Sequence, residues 1–216
     1  MNTRTQSEPL SRRERKQQTR NDLLEAALRL LEDKSFSSLS LREVTREAGI
    51  VPTAFYRHFE SMDELGLVLI DDSFRTLRDM IRAARADPST YEHVIRSSVE
   101  VLVQHVREHE GHFRFIARER FSGNPTVRHA IRAEIRLFAS ELATDLVRFP
   151  HMREWTSEDL HVMAGLIVNA MVSIVEAVLD APADSAKADA DLRRLAEKQL
   201  RMIVIGVPTW RSRQTD

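Results

Sequence analysis

Apolar residues recur at Leu24, Ala27, Leu28 and Leu31, the three-and-four spacing that lines one face of an α-helix, and they predict a helix over residues 12–34. The stretch SFSSLS breaks the pattern, and Ser40-Leu41-Arg42-Glu43 restarts it in capping-box form. A short helix then ends at Ala48, with Gly49 as the tolerant residue of a tight turn. Pro52 suits a first helical position and opens a third helix to about residue 59. Ser61-Met62-Asp63-Glu64 is a second capping box, from which a long helix carries Leu67, Ile70, Phe74, Leu77 and Ile81 to about residue 86. Further helices are expected at about 89–109, 111–121, 125–148, 157–180 and 186–205, separated by Gly111, Ser122-Gly123-Asn124-Pro125, Pro150 and Ala181-Pro182-Ala183. The pattern therefore predicts an all-α fold of about nine helices without internal repeats. It divides into an arm (1–11), a helix-turn-helix domain (12–61), a helical ligand-binding and dimerisation domain (62–208) and a tail (209–216).

The helix over 157–180 differs from the others. Met163, Ala164, Leu166, Ile167, Val168, Ala170, Met171, Val172, Ile174 and Val175 leave almost no polar face for two turns. Such a helix must be covered on all sides, either inside one large core or against a second copy of the chain. Pairing in a homodimer is the expectation, since the domain is small and two-fold dimers are the commonest oligomers.

Two short helices joined by a glycine turn have the layout of a DNA-reading helix-turn-helix. On the helix from Pro52, Phe55 and Phe59 fall on one side and would pack against Leu41, Val44 and the Leu24/Leu28 stripe. Thr53, Tyr56 and Arg57 fall on the other side, facing out. A hydroxyl, a phenol and a guanidinium suit the floor and phosphate walls of a major groove, and Thr and Ala can touch a thymine methyl. On pattern alone a three-helix structural unit with a polar outer face remains an equal reading.

Composition narrows the classes. Forty-two per cent hydrophobic and 30% charged residues, with six glycines and seven prolines, describe an ordinary globular chain. There is no cysteine, so disulfide and thiolate chemistry are excluded. No window approaches the ~18 consecutive apolar residues of a membrane span, and the N-terminus lacks an apolar targeting core. A cytoplasmic protein with no membrane partner is expected. The net charge of −1 disfavours nucleic acid, but its distribution does not. Residues 1–20 hold Arg4, Arg12, Arg13, Arg15, Lys16 and Arg20 against Glu8 and Glu14, a basic segment on an acidic body.

The stretch SLSLREVTREAGIVPTAFYRHFESMDELGL resembles the N-terminal domain of the TetR family of bacterial repressors. The resemblance rests on the Ala48-Gly49-Ile50 turn, the segment from Phe55 to Phe59 and the Glu64-Leu65 restart. It implies a nine-helix repressor with a two-helix-per-subunit dimer interface, reading bases with Pro52, Thr53 and Ala54. Phosphate contacts are implied at Tyr56 and His58, assisted by Arg42 and the Ser61-Met62 start of the next helix. With Ser40 and Arg57 from the pattern, these are the candidate DNA-binding residues. The operator is expected to be an inverted repeat with half-sites about 34–36 Å apart, or a multiple of that.

The same stretch, with Phe113 to Arg120 (FRFIARER), resembles the branch that represses unsaturated fatty acid synthesis and acyl-CoA desaturase genes. That resemblance implies long-chain acyl-CoA as ligand. Phe113, Ile116, Phe138, Leu142, Met163, Leu166, Ile167, Met171 and Val175 are the candidate lining of an acyl tunnel, although the same spacing describes plain core. A TetR-type repressor of another hydrophobic molecule, such as a drug, stays open. So does an all-helical enzyme or metal-binding protein with an incidental helix-turn-helix.

Enzymatic signatures are missing. Glycines stand only at Gly49, Gly66, Gly111, Gly123, Gly165 and Gly206, which excludes the common Gly-rich phosphate loops, and no G-x-S-x-G elbow occurs. No cofactor is expected. His105, Glu108, His109 and His112 attract attention because 105 and 109 lie one helical turn apart. Beside Arg107 and Glu110 they read as residues of an exposed polar face, and no metal site is assigned. Arg118 and Arg120 flank Glu119 as a surface ion pair or as a contact for a CoA phosphate.

Overall fold

The computed structural model describes residues 11–84, 91–121, 123–183 and 185–212. Apart from Ser11, the expected basic arm lies outside the described residues. Among those described there are nine α-helices and no strand: α1 (Arg12–Leu31), α2 (Leu41–Glu47), α3 (Pro52–Phe55), α4 (Met62–Ala84), α5 (Tyr91–Glu108), α6 (Glu110–Glu119), α7 (Pro125–Leu146), α8 (Ser157–Asp180) and α9 (Ala186–Val204). Two 3-10 turns, Phe36–Ser38 and Pro150–Met152, join them. The all-α expectation holds, helix for helix.

The ends follow from capping chemistry. Ser11, placed in the arm by its polarity, is the N-cap of α1 and forms a capping box with Glu14. The expected box of Ser40 and Glu43 opens α2. At α4 the box is altered: the Ser61 hydroxyl accepts from the Glu64 N–H, but Glu64 reaches back to the N–H of Glu60. The largest difference is at α3, which ends at Phe55 rather than near residue 59. Beyond it the Arg57 and His58 N–H groups bond three residues back, to Ala54 and Phe55, so the chain tightens into turns. The Phe59 N–H still bonds the Phe55 carbonyl at 3.1 Å, which keeps both rings on one side.

Two apolar cores result. The first gathers Leu23, Leu24, Ala27 and Leu31 of α1 with Phe36, Val44, Phe55 and Phe59. The second fills the space among α4, α5 and α7–α9, around Leu102, Val103, Phe138, Met152 and Val168. Three helices belong to both, α7 through Val127 and Ile131 in the first and Phe138 and Leu142 in the second. The first half of α4 (Leu65, Leu69, Ile70, Phe74) lies in the first core and its Leu77 and Ile81 in the second, while α6 gives Phe115 to the first and Phe113 to the second.

α8 corrects one expectation. By length and composition it is apolar enough to cross a membrane, because Asn169 and Ser173 interrupt the apolar run without lowering its average much. It lies against α7, α9, α5 and α6, burying Leu160, Ala164, Val168, Met171, Ile174 and Val178. Val162 and Leu166 stay more than half exposed, as do Met202 and Ile205 at the end of α9. The described part of the C-terminal segment is tied to the start of α8: the Trp210 indole N–H donates to Asp159 Oδ2 at 3.0 Å and the Ser212 hydroxyl to the same oxygen at 2.5 Å.

At the junction of the cores the Phe36 ring meets Phe115 with centroids 5.9 Å apart and lies directly on Gly66. A Cβ built there would stand 2.6 Å from the Phe36 ring and 3.1 Å from Val127 Cγ2, so only glycine permits this approach. Gly66→Ala is expected to destabilise the protein by about 1–3 kcal/mol through overpacking, despite the better helix propensity of alanine, as a lower midpoint in urea unfolding. An unchanged midpoint would show that Phe36 has room to move.

Candidate nucleic-acid interface and buried cavities

The turn between α2 and α3 is built by backbone hydrogen bonds. The Gly49 N–H donates to Arg46 O at 3.1 Å and the Ile50 N–H to Thr45 O at 2.9 Å, the paired bonds of a Schellman ending. Gly49 has φ +69°, a conformation that side chains disfavour. Val51 then caps α3 and Pro52 starts it. Phe55 and Phe59 are buried, 0% and 1% exposed, with Leu24 and Val44 around them and Leu28 and Leu41 at the edge. The opposite face carries Pro52, Thr53, Tyr56 and Arg57, all exposed.

The remaining candidates divide. Arg42 and Ser61 are exposed, while Ala54 is half-buried. The Ser40 hydroxyl is committed to the cap, accepting from the Glu43 N–H and donating to its carboxylate at 2.7 Å. His58 is half-buried with its Nδ1 buried and unpartnered. Burial holds its pKa below the usual value, and the cations of Lys16, Arg20 and Arg57 act in the same direction. Those three cations mark a basic corner between α1 and the end of α3, and the Arg20 guanidinium lies 5.1 Å over the Phe59 ring. Lys16 and Arg20 stood outside the candidate set, although their i, i+4 spacing on α1 placed them on one face.

Below this head lie two apolar cavities of about 70 Å³ each. Phe113, Ile116, Phe138, Met171 and Val175 line the first, and Phe138, Leu142, Ile167 and Met171 line the second. Ile81, Phe138 and Met171 stand in the walls of both. Met163 faces neither cavity and packs against the second core, while Leu166 points to solvent. The first cavity has only two charged residues in its wall, Arg120 and Glu176, paired at 3.0 Å.

Residues 23–67 match the sequence pattern of the bacterial regulatory proteins of the tetR family, and residues 91–206 match that of a tetracyclin repressor-like C-terminal domain. The chain belongs to the TetR family. It is similar in fold to the fatty acid degradation regulator FadR of Bacillus halodurans (TM-score 0.67, 14% identity, covering 90% of this chain and 97% of that one). It is also similar to a TetR-family regulator of Streptomyces coelicolor (0.66, 19%, 89% and 97%) and to a TetR-like regulator of Rhodococcus sp. RHA1 (0.63, 20%, 89% and 98%). At these identities the likeness concerns the fold. TetR-family proteins are DNA-binding transcriptional regulators rather than enzymes; they bind operator DNA and dimerise.

Within this TetR-family chain, FRFIARER has a definite place. Arg118 donates to three carbonyls at the end of α1 and just beyond it: Leu31 at 3.0 Å, Glu32 at 3.0 Å and Lys34 at 2.9 Å. Glu119 is completely buried and accepts from the Phe36 N–H at 2.8 Å. The reading of the segment as a surface ion pair around Glu119 is thereby replaced. Arg118 holds the DNA-reading head, Glu119 lies in the core, and Arg120 pairs with Glu176. The histidine expectation also needs correction. His105 is 1% exposed, because it continues the row Ser98–Leu102 on the inner face of α5.

The cap of α2 makes the head sensitive to acid. The Lys34 ammonium beside it, then the Ser40 hydroxyl and N–H, hold the Glu43 pKa at about 2. This contribution is fully present above the unfolded carboxylate range, near pH 4.5, and disappears as pH falls towards 2. Thermal melts should show the midpoint dropping between pH 5 and pH 2.5 more steeply in the wild type than in Glu43→Gln. Parallel curves would show that this carboxylate adds nothing to the folded head.

Proposed function

We propose that this protein is a homodimeric repressor that reads an inverted-repeat operator with Pro52, Thr53 and Ala54. In this reading Tyr56, Arg57 and His58 hold phosphates, with Arg42, Ser40 and Ser61 at the flanks. Its 12–61 segment serves as the DNA-binding domain and 62–208 as the ligand-binding and dimerisation domain. The exposed apolar residues Val162 and Leu166 of α8 and Met202 and Ile205 of α9 suit the face that meets the second subunit. A repressor of bacterial genes works in the cytoplasm.

We further propose that its ligand is a long-chain acyl-CoA and its targets are genes of lipid metabolism. The observation that carries this is the shape of the apolar space: two cavities that share three wall residues, with one arginine–glutamate pair as the charged part of the first wall. An acyl chain gains ~0.8 kcal/mol for each methylene buried. Met171, an unbranched side chain that repacks readily, stands in both walls with Ile81 and Phe138, so the wall between the cavities can yield to a chain. FadR, a regulator of fatty acid degradation in another bacterium, is consistent with this choice. The volume of each cavity, about 70 Å³, favours a second reading in which a compact hydrophobic molecule binds one cavity alone. Thermal shift across a panel of acyl-CoAs and compact hydrophobic drugs separates the two, because a true ligand stabilises by mass action.

Coupling follows from α6. Its Phe113, Ile116, Ala117 and Arg120 face the first cavity, while Phe115, Arg118 and Glu119 hold α1 and the turn after it. A ligand that displaces α6 therefore displaces the head, and its effect equals its differential affinity for the two positions.

Fluorescence anisotropy on DNA flanking the gene tests this reading. Wild-type protein should bind specifically, and Thr53→Asp/Arg57→Asp should lose that binding with fold and dimer intact; retained affinity would misplace the reading face. Acyl-CoA should change the wild-type affinity about 5- to 150-fold, the usual range of allosteric coupling. Arg118→Ala should keep DNA binding and bring that change below about 5-fold. A response equal to wild type would place the coupling elsewhere.

A further inference from the structure

Where α4, α5 and α6 meet sits a further cavity, lined by Asp72, Ser73, His105, His109, His112 and Phe113, with a volume of about 130 Å³. Three of those six residues are histidines. A ligand atom of His105, one of Glu108 and one of His109 all lie within 4.8 Å of one another. The imidazole rings of His105 and His109 have centroids 4.3 Å apart, and His112 follows at 6.2 Å from His109. We propose that His105, Glu108 and His109 form a binding site for a divalent transition-metal ion of the zinc type, with His112 and Asp72 in the wall around it.

Three observations carry the assignment. The first is spacing: His-x-x-Glu-His on α5 puts both imidazoles on one face, one turn apart, with the carboxylate beside them. The second is the unsatisfied chemistry of His105. Its side chain is buried, and its Nδ1 has no hydrogen-bond partner, although buried polar atoms normally find one. The third is the orientation of the His109 ring. The His109 Nδ1 lies 3.2 Å from the His105 carbonyl oxygen. Donation of its N–H there leaves Nε2 with its lone pair, the arrangement usual for a metal-ligating histidine.

Two imidazoles and a carboxylate suit zinc, cobalt and nickel, whereas calcium and magnesium prefer oxygen alone.

Isothermal titration of the chelator-treated full-length protein with Zn²⁺, and the visible spectrum with Co²⁺, test the site. Zn²⁺ should bind in a one-to-one ratio, and Co²⁺ should give the intense absorption of a four-coordinate centre. Mg²⁺ and Ca²⁺ should not bind at this ratio. His109→Gln and Glu108→Gln, the latter at an exposed position that tolerates change, should each weaken Zn²⁺ binding by more than about tenfold while circular dichroism shows the fold unchanged. Zn²⁺ affinity equal to wild type in both variants would assign the metal to surface histidines and overturn the proposal, as would the absence of stoichiometric binding. If His109→Gln disturbs the fold, Glu108→Gln alone decides.

Discussion

The buried hydrogen bond from the Phe36 N–H to Glu119 is the contact on which the rest of this architecture turns. A carboxylate removed completely from water costs several kcal/mol unless it is held by donors; the Phe36 N–H bonds Glu119 Oε1 and ties the Phe36–Ser38 turn to α6, while Oε2 is buried without a partner. Arg118, one residue earlier, closes the same joint from outside by donating to three carbonyls at and beyond the end of α1. The Leu31 carbonyl is among the groups that a helix leaves unsatisfied at its C-terminus. The guanidinium thus serves as a cap supplied from 84 to 87 residues away in sequence. Neighbouring residues of one helix hold the DNA-reading head through chemistry that tolerates little sliding, since a displaced carboxylate would remain buried.

This joint explains why the two cores are not independent. α4 runs through both, but a helix in two cores can pivot where its packing changes. α6 removes that freedom, because Phe115 enters the core of the head beside Phe36 while Phe113 enters the other. The close approach at Gly66 is the counterpart on α4, pressing the same Phe36 ring from the second side. The Asn124 amide adds a third tie by donating to Asp63 Oδ1 at 3.0 Å, which links the start of α7 to the first turn of α4. The head is thus seated on three helices, and any change in the cavity below reaches it through the walls those helices share.

Much of this fold was legible because its signals are local. Periodicity placed nine helices, and the capping box of Ser40 and Glu43 and the turn at Gly49 each depend on fewer than ten residues. What the sequence hid depends on partners far along the chain. Arg118 and Arg120 around Glu119 read as a surface ion pair or a CoA contact, and only the approach of Phe36 and of the end of α1 turns Glu119 into a core residue and Arg118 into a cap. The short α3 was overextended because Phe55 and Phe59 share a face in either geometry, so periodicity could not separate a helix from a helix followed by turns. His105 is the instructive intermediate case. Its row on α5, after Ser98 and Leu102, marked it as inward-facing, but the polar neighbours Arg107 and Glu110 outweighed that signal. Arg107 in fact pairs with Asp189 of α9 at 2.8 Å, so its charge did not mark a solvent face at all.

The candidate reading face and the candidate cavities differ in how their residues were found, and the difference has a physical basis. A groove-reading surface must stay exposed, so its side chains are free of intramolecular packing and their pattern survives as an outward stripe: Thr53, Tyr56 and Arg57 opposite Phe55 and Phe59. A buried cavity is lined by the same residue types as a filled core, and periodicity alone cannot say where atoms are missing. Seven of the nine residues first proposed for the tunnel reach a cavity wall, because α6, α7 and α8 each turn an apolar stripe to the same interior. Met163 and Leu166 do not: Met163 packs against the second core and Leu166 is more than half exposed. The cavity is the space left where Phe138 and Met171, long side chains from facing helices, meet Ile81 without filling the room between them. A void of that origin is set by side-chain length rather than by backbone position, which lets a ligand enlarge it without unfolding the helices around it.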